Sequence, residues 1–107
     1  LQALTLMNDA MFTEVAQALG TTLATRDDDN ATRCRSLFRR VLNRWQDAEE
    51  TNRMLEFVET QRSRFKTEQL LDAQAVAGGD GEEVIERATW TSLARVLFNL
   101  DEAITRN

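Results

Sequence analysis

Histidine, tyrosine and proline are absent from the 107 residues, and cysteine occurs once. Without histidine, imidazole base catalysis, histidine metal ligation and a Ser-His-Asp triad are excluded within this chain. A single cysteine leaves no internal disulfide, no CxxC redox pair and no CxxCH haem attachment. Missing tyrosine removes phenol chemistry, and missing proline removes PxxP recognition. No apolar run approaches the roughly 20 residues of a membrane span, so membrane insertion by this segment is not expected. The opening Leu1-Gln2-Ala3-Leu4-Thr5-Leu6-Met7 has no basic flank and no small-residue cleavage site, and does not read as a signal peptide. Because it starts without an initiator Met inside an apolar stretch, the chain reads as an excised part of a longer protein.

Hydrophobic residues make up 42% and charged residues 29%, the balance of a soluble globular domain. The length predicts one domain over residues 1–107, able to bury a core without disulfides or metals. Thirteen Lys and Arg against eighteen Asp and Glu, a net charge of −5, disfavour nucleic acid as a partner.

The apolar positions repeat with helical spacing throughout. Phe12, Val15, Ala16, Leu19 and Leu23 form one face of a helix predicted over 10–24, with Asp9 as its N-cap. Gly20 weakens that helix by about 1 kcal/mol relative to Ala and marks a place for fraying or an early stop. Cys34, Leu37, Phe38, Val41, Leu42 and Trp45 make the cleanest stripe, on a helix predicted over 31–43 and capped by Asp29 or Asn30. Asp47-Ala48-Glu49-Glu50 is a capping box for a third helix, carrying Met54, Leu55, Val58, Phe65 and Leu70 or Leu71. Gln61 and Arg62 interrupt its stripe, so its second half is expected to be the more exposed. Glu59 and Arg62 read there as an ordinary outer-face pair. Gly78, Gly79 and Gly81 announce a loop, and Asp80 with Glu83 offers a second capping box. The last helix carries Val84, Ile85, Trp90, Leu93, Leu97, Leu100 and Ile104, with Val96 and Phe98 widening its apolar surface, and is expected to be the most buried. No strand pattern and no solenoid repeat appear. The reading is all-α: an antiparallel bundle of about four helices.

Few residues invite chemistry. Cys34 lies on the core stripe and reads as packing. Asp27 to Asn30 lacks the spacing of a calcium loop and reads as a helix cap, as does the stretch from Asp80 to Glu83. Arg33, Arg40 and Arg44 share a helix face suited to carboxylates or phosphates, or else a solvated face paired with nearby acids. Asp101 and Glu102 are adjacent on a helix and diverge by about 100°, which no paired-carboxylate mechanism uses. No catalytic, cofactor-binding or metal-binding residues are expected in this segment.

Three local patterns carry a family resemblance. Leu1 to Asp9 (LQALTLMND) resembles the LQALTLLND opening of the C-terminal domain of the PSD family, domain of unknown function 1553. Leu37 to Arg44 (LFRRVLNR) is similar to its FR..LGR motif, and Thr89 to Glu102 (TWTSLARVLFNLDE) to its AWT.LARVLLNLDEF close. Departures are Asn43 for the usual Gly, Gln46 for a Pro, Ala10 for a Pro and Ala103 for the terminal Phe. Asn43 keeps access to the left-handed backbone that a helix C-cap needs. The resemblance implies a large extracytoplasmic protein of planctomycete type, in the periplasm or at the cell surface. It implies a c-type haem elsewhere in the parent chain, and the parent's other domains or another protein as partners. No activity is established for the family domain, so the resemblance carries no catalytic residue.

Asn8, Asp9, Arg44, Asn99, Asp101 and Glu102 map onto the motifs as structural or interaction residues. They are expected to join helices one, two and four in a partly buried polar knot centred on Arg44. The chain is thus expected to be a non-catalytic interaction or scaffolding module. The alternative is part of an enzyme that shares its active site with a preceding domain, acting on polysaccharide or linked to redox chemistry.

Overall fold

The computed structural model describes residues 9–67 and 70–105, and for residues 9, 70 and 102–105 the backbone alone. The described residues are helical, without strands. The helices are α1 (Asp9–Ala24), α2 (Asn30–Leu42), α3 (Ala48–Thr67), α4 (Leu70–Ala77) and α5 (Val84–Thr105). Among the described residues five helices stand where about four are expected, because residues 70–77 form a helix of their own, ended by Gly78. The amides of Gly78 and Gly79 both donate to the Gln74 carbonyl, at 3.1 and 2.8 Å, and Gly78 supplies the positive φ of 88°. Gln17 of α1 pins this end by donating to the Val76 carbonyl at 3.2 Å.

Helix α5 touches each of the other four helices. Its Trp90, Leu93, Ala94, Leu97 and Phe98 are buried in the main core with Ala16 and Leu23 of α1, Leu37 and Phe38 of α2, and Met54 and Val58 of α3. A smaller cluster joins Phe65, Ala73, Ala77 and Ala88, so the second half of α3, largely exposed as its interrupted stripe predicts, is anchored by Phe65. The expectation that the last helix is the most buried agrees with this arrangement, since α5 supplies the largest buried side chain, Trp90.

Helix α1 passes through Gly20 without fraying and ends at Ala24. Phe12 meets Phe98 edge-on at 5.9 Å, while Gly20 faces Thr91 and Arg87, so the two helices run antiparallel. A Cβ on Gly20 would lie 2.1 Å from Thr91 Oγ1, 2.7 Å from Thr91 N and 2.9 Å from the Arg87 carbonyl oxygen. Glycine stands there because the backbones meet, and the tertiary contact outweighs its poor helix propensity.

At the start of α2, Asp29 is the cap: its Oδ1 accepts the Thr32 amide at 2.8 Å, and the Thr32 hydroxyl together with this amide holds its carboxyl below the ordinary carboxylate range. The capping box read at Asp80 and Glu83 does not form. Glu83 itself precedes α5 with a positive φ of 57°, and its carbonyl accepts the Arg87 amide at 2.7 Å.

Candidate functional site

The corner between α2 and α3 is built almost wholly from local sequence. Helix α2 ends at Leu42, and Asn43 takes φ 56° and ψ 33°, its amide donating to the Arg39 carbonyl. This is the conformation that glycine adopts most cheaply and asparagine tolerates. The Arg39 guanidinium donates to Asn43 Oδ1 at 2.6 Å and lies over the Trp45 ring, 5.3 Å from its centroid. Trp45, read from spacing as the last member of the core stripe, is instead 63% exposed, because the left-handed turn at Asn43 ends the helix before it.

The capping box forms as its residues predict. Glu50 N donates to Asp47 Oδ1 at 2.8 Å, and Asp47 N donates to Glu50 Oε1 at 2.9 Å. Onto this box Arg44 places a two-pronged fork, Nη1 to Oε1 at 3.0 Å and Nη2 to Oε2 at 2.8 Å. The Arg44 hydrogen bonds and the Asp47 amide hold the Glu50 carboxyl below its ordinary range. Arg44 also covers the Phe38 ring at 4.9 Å.

Among the described residues Arg44 does not centre a partly buried knot. Its side chain is 48% exposed, and its acidic partner among the described residues is Glu50. An exposed pair of this kind contributes little to stability. Arg44→Ala is accordingly expected to lower the melting temperature by only a few degrees in a thermal melt followed by circular dichroism. Of the other candidates, Asn99 is exposed on α5 and Asp101 is half-buried near its end. Asn8 and the side chains of Asp9 and Glu102 lie outside the described residues, as does the side chain of Ala103.

A polar knot does exist, on other residues. Glu86 of α5 receives Arg62 Nε at 2.7 Å on one oxygen. Its other oxygen takes Arg62 Nη2 at 3.0 Å, Arg33 Nη1 at 3.3 Å and Trp90 Nε1 at 3.3 Å. Arg62 also donates to Asn30 Oδ1 at 3.1 Å and pairs with Glu59, whose Oε1 accepts from Asn30 Nδ2 at 3.2 Å. Arg33 reaches back to the Arg26 carbonyl at 2.6 Å and lies 5.6 Å from the Trp90 ring centroid. The knot thus ties α2, α3 and α5 together. Its central side chains are only 12% (Arg33), 14% (Arg62) and 21% (Glu86) exposed.

Burial pushes the Glu86 carboxyl up, but the Arg62 fork, the Trp90 N–H and Arg33 outweigh it and hold the group below its ordinary range. With both oxygens accepting from cations, this carboxylate is locked in its ionised form and is no general base. One signal for the knot was present in the chain: Arg62 stands at a core-stripe position, four residues after Val58 and three before Phe65.

Cys34 is fully buried, and burial pushes its thiol up to about 11. A protonated, inaccessible thiol is neither nucleophile nor ligand. Labelling with a thiol-reactive disulfide is expected to be negligible on the folded chain and to appear in step with unfolding in denaturant. Reaction at native rates typical of an exposed cysteine would contradict that placement. In the acidic loop, Asp28 pairs with Arg26 at 2.8 Å and Asp29 caps α2. Among the described residues no group of three or more Cys, Asp or Glu is placed to hold a metal ion. Also among them, no helix is long and apolar enough to cross a membrane.

No curated protein and no solved structure matches the chain. A family profile does match, over residues 1–58, a span that includes the LQALTLMND opening, all of α2, and the Asn43, Arg44 and Glu50 corner. The Thr89 to Glu102 segment lies beyond that match. Covering more than half of the sequence, the match shows that this chain belongs to the family described as "Protein of unknown function (DUF1553)".

Proposed function

We propose that this chain is a non-catalytic helical interaction module of a larger, extracytoplasmic multidomain protein. It docks on another domain of its parent or on a separate protein through the outer face of the α2–α3 corner. The observation that carries this reading is Trp45, a large aromatic side chain 63% exposed and held by the Arg39 stack. Trp and Arg are the side chains that most often anchor protein interfaces. The locked Glu86 carboxylate and the buried Cys34 thiol support a role without chemistry of its own. On this reading α1, α2, α3 and α5 form the antiparallel four-helix bundle that presents the corner, and α4 is an appendage to it.

The test is site-specific photo-crosslinking. A benzophenone amino acid replaces Trp45 in the intact parent protein, with Glu56, on an exposed part of α3, as the control position. A discrete adduct from position 45 that the control does not form is the expected result. Equal, diffuse labelling from both positions would overturn the reading.

A further inference from the structure

Between Asn30 and Gln46 the sequence holds five arginines and no acidic residue, in a chain whose net charge is −5. Two of the five are neutralised, Arg33 by Glu86 and Arg44 by Glu50. Arg35, Arg39 and Arg40 are exposed and form no ion pair among the described residues. Asp29 caps α2 and Asp47 accepts the Glu50 amide, so neither forms an ion pair with these arginines. Of the face Arg33, Arg40 and Arg44, two members are thus paired with acids, and Arg40 is left beside Arg35 and Arg39.

Two surface depressions flank Trp45. One, of about 390 Å³, is lined by Thr32, Arg35, Ser36, Arg39, Arg40 and Trp45 itself. The other, of about 470 Å³, shares Arg35 and Trp45 and continues over Gln46, Asp47, Ala48 and Thr51, so it carries a carboxylate of its own and the cationic depression is the first.

Resting on the interaction-module reading above, we propose that the partner is an acidic peptide segment. Its carboxylates meet Arg35, Arg39 and Arg40, and its apolar side chain lies on Trp45. Guanidinium forks match carboxylates in geometry, and the Arg39 stack on Trp45 pre-orients one of them. A long polyphosphate or polysulfate fits less well, because beyond this patch it meets a surface carrying the chain's excess of acids. A short acidic segment needs only the patch.

The test is fluorescence anisotropy with a labelled Asp/Glu-rich peptide carrying one central Leu, at low salt, with heparin as a parallel probe. Binding is expected, together with a change in tryptophan emission that Trp45→Phe removes. The exposed substitutions Arg35→Gln, Arg39→Gln and Arg40→Gln together should weaken binding by about thirtyfold while the thermal melt stays unchanged. Should that triple variant melt lower, Arg40→Gln and Trp45→Ala taken singly give the same readout. Peptide binding indifferent to these substitutions overturns the proposal, and so does heparin binding without peptide binding. If the crosslink from position 45 forms but the peptide fails to bind, the acidic partner is wrong and the module reading stands. If neither occurs, both fall.

Discussion

Gly20→Ala will lower the melting temperature of this chain by about 10 °C, although alanine is the better helix former. In an isolated helix the exchange stabilises by about 1 kcal/mol. Here the added methyl carbon would sit 2.1 Å from Thr91 Oγ1 and inside 3 Å of two backbone atoms of α5. Thr91 is fully buried and has no room to turn aside, so relief requires α1 and α5 to separate along their contact. Overpacking of this kind costs roughly 1–3 kcal/mol and sometimes more. We expect a net loss of about 2 kcal/mol, which in a domain of this size is about 10 °C. Gly20→Val, with two further carbons, should lose more. A melt of Gly20→Ala at or above the wild-type temperature would mean that the two helices do not meet so closely.

Glu86→Gln should cost still more, about 3 kcal/mol, read as a fall of about 15 °C in the melt at neutral pH. The amide keeps the shape of the carboxylate but leaves Arg33 and Arg62 without their shared countercharge, both largely out of water. The pH dependence separates this account from a simple packing defect. The folded Glu86 carboxyl titrates below its ordinary value of 4.5. Its contribution is therefore complete above that value and is lost as pH falls through the lower, folded value. The gap in stability between wild type and variant should be widest near neutral pH and should narrow below pH 4.5. A gap that stays constant down to strongly acid pH would refute the charge-based explanation.

How much of this was legible in the chain depends on the range of the forces involved. The Asp47 and Glu50 box and the Asn43 cap are decided within a few residues, and both stand where their residue types predict. The periods of the apolar residues likewise gave the helices and most of the core. Three features escaped, two of them because their cause lies far away in sequence. Gly20 reads as a weak point until Thr91 is placed against it. Arg62 reads as a flaw in a stripe until Glu86 arrives from the next long helix. Trp45 continues the i, i+4, i+7 pattern numerically, but the turn two residues before it swings the ring outward. The same distance effect moved the polar knot from Arg44, chosen by motif, to Arg33 and Arg62, whose partner becomes visible only in three dimensions.

The central place of α5 bears on the order in which the chain becomes a protein. The buried faces of α1, α2 and part of α3 fall within residues 1–58, the span of the family match, yet each leans on a helix that begins at Val84. During synthesis these earlier helices emerge first and wait, their apolar sides uncovered, until Trp90 to Phe98 clear the ribosome. At roughly 5–20 residues per second that interval lasts seconds, long enough for a chaperone to be the first partner. In such a fold the earlier helices lack their main packing surface until α5 arrives, and a domain of this size is expected to unfold in one cooperative step.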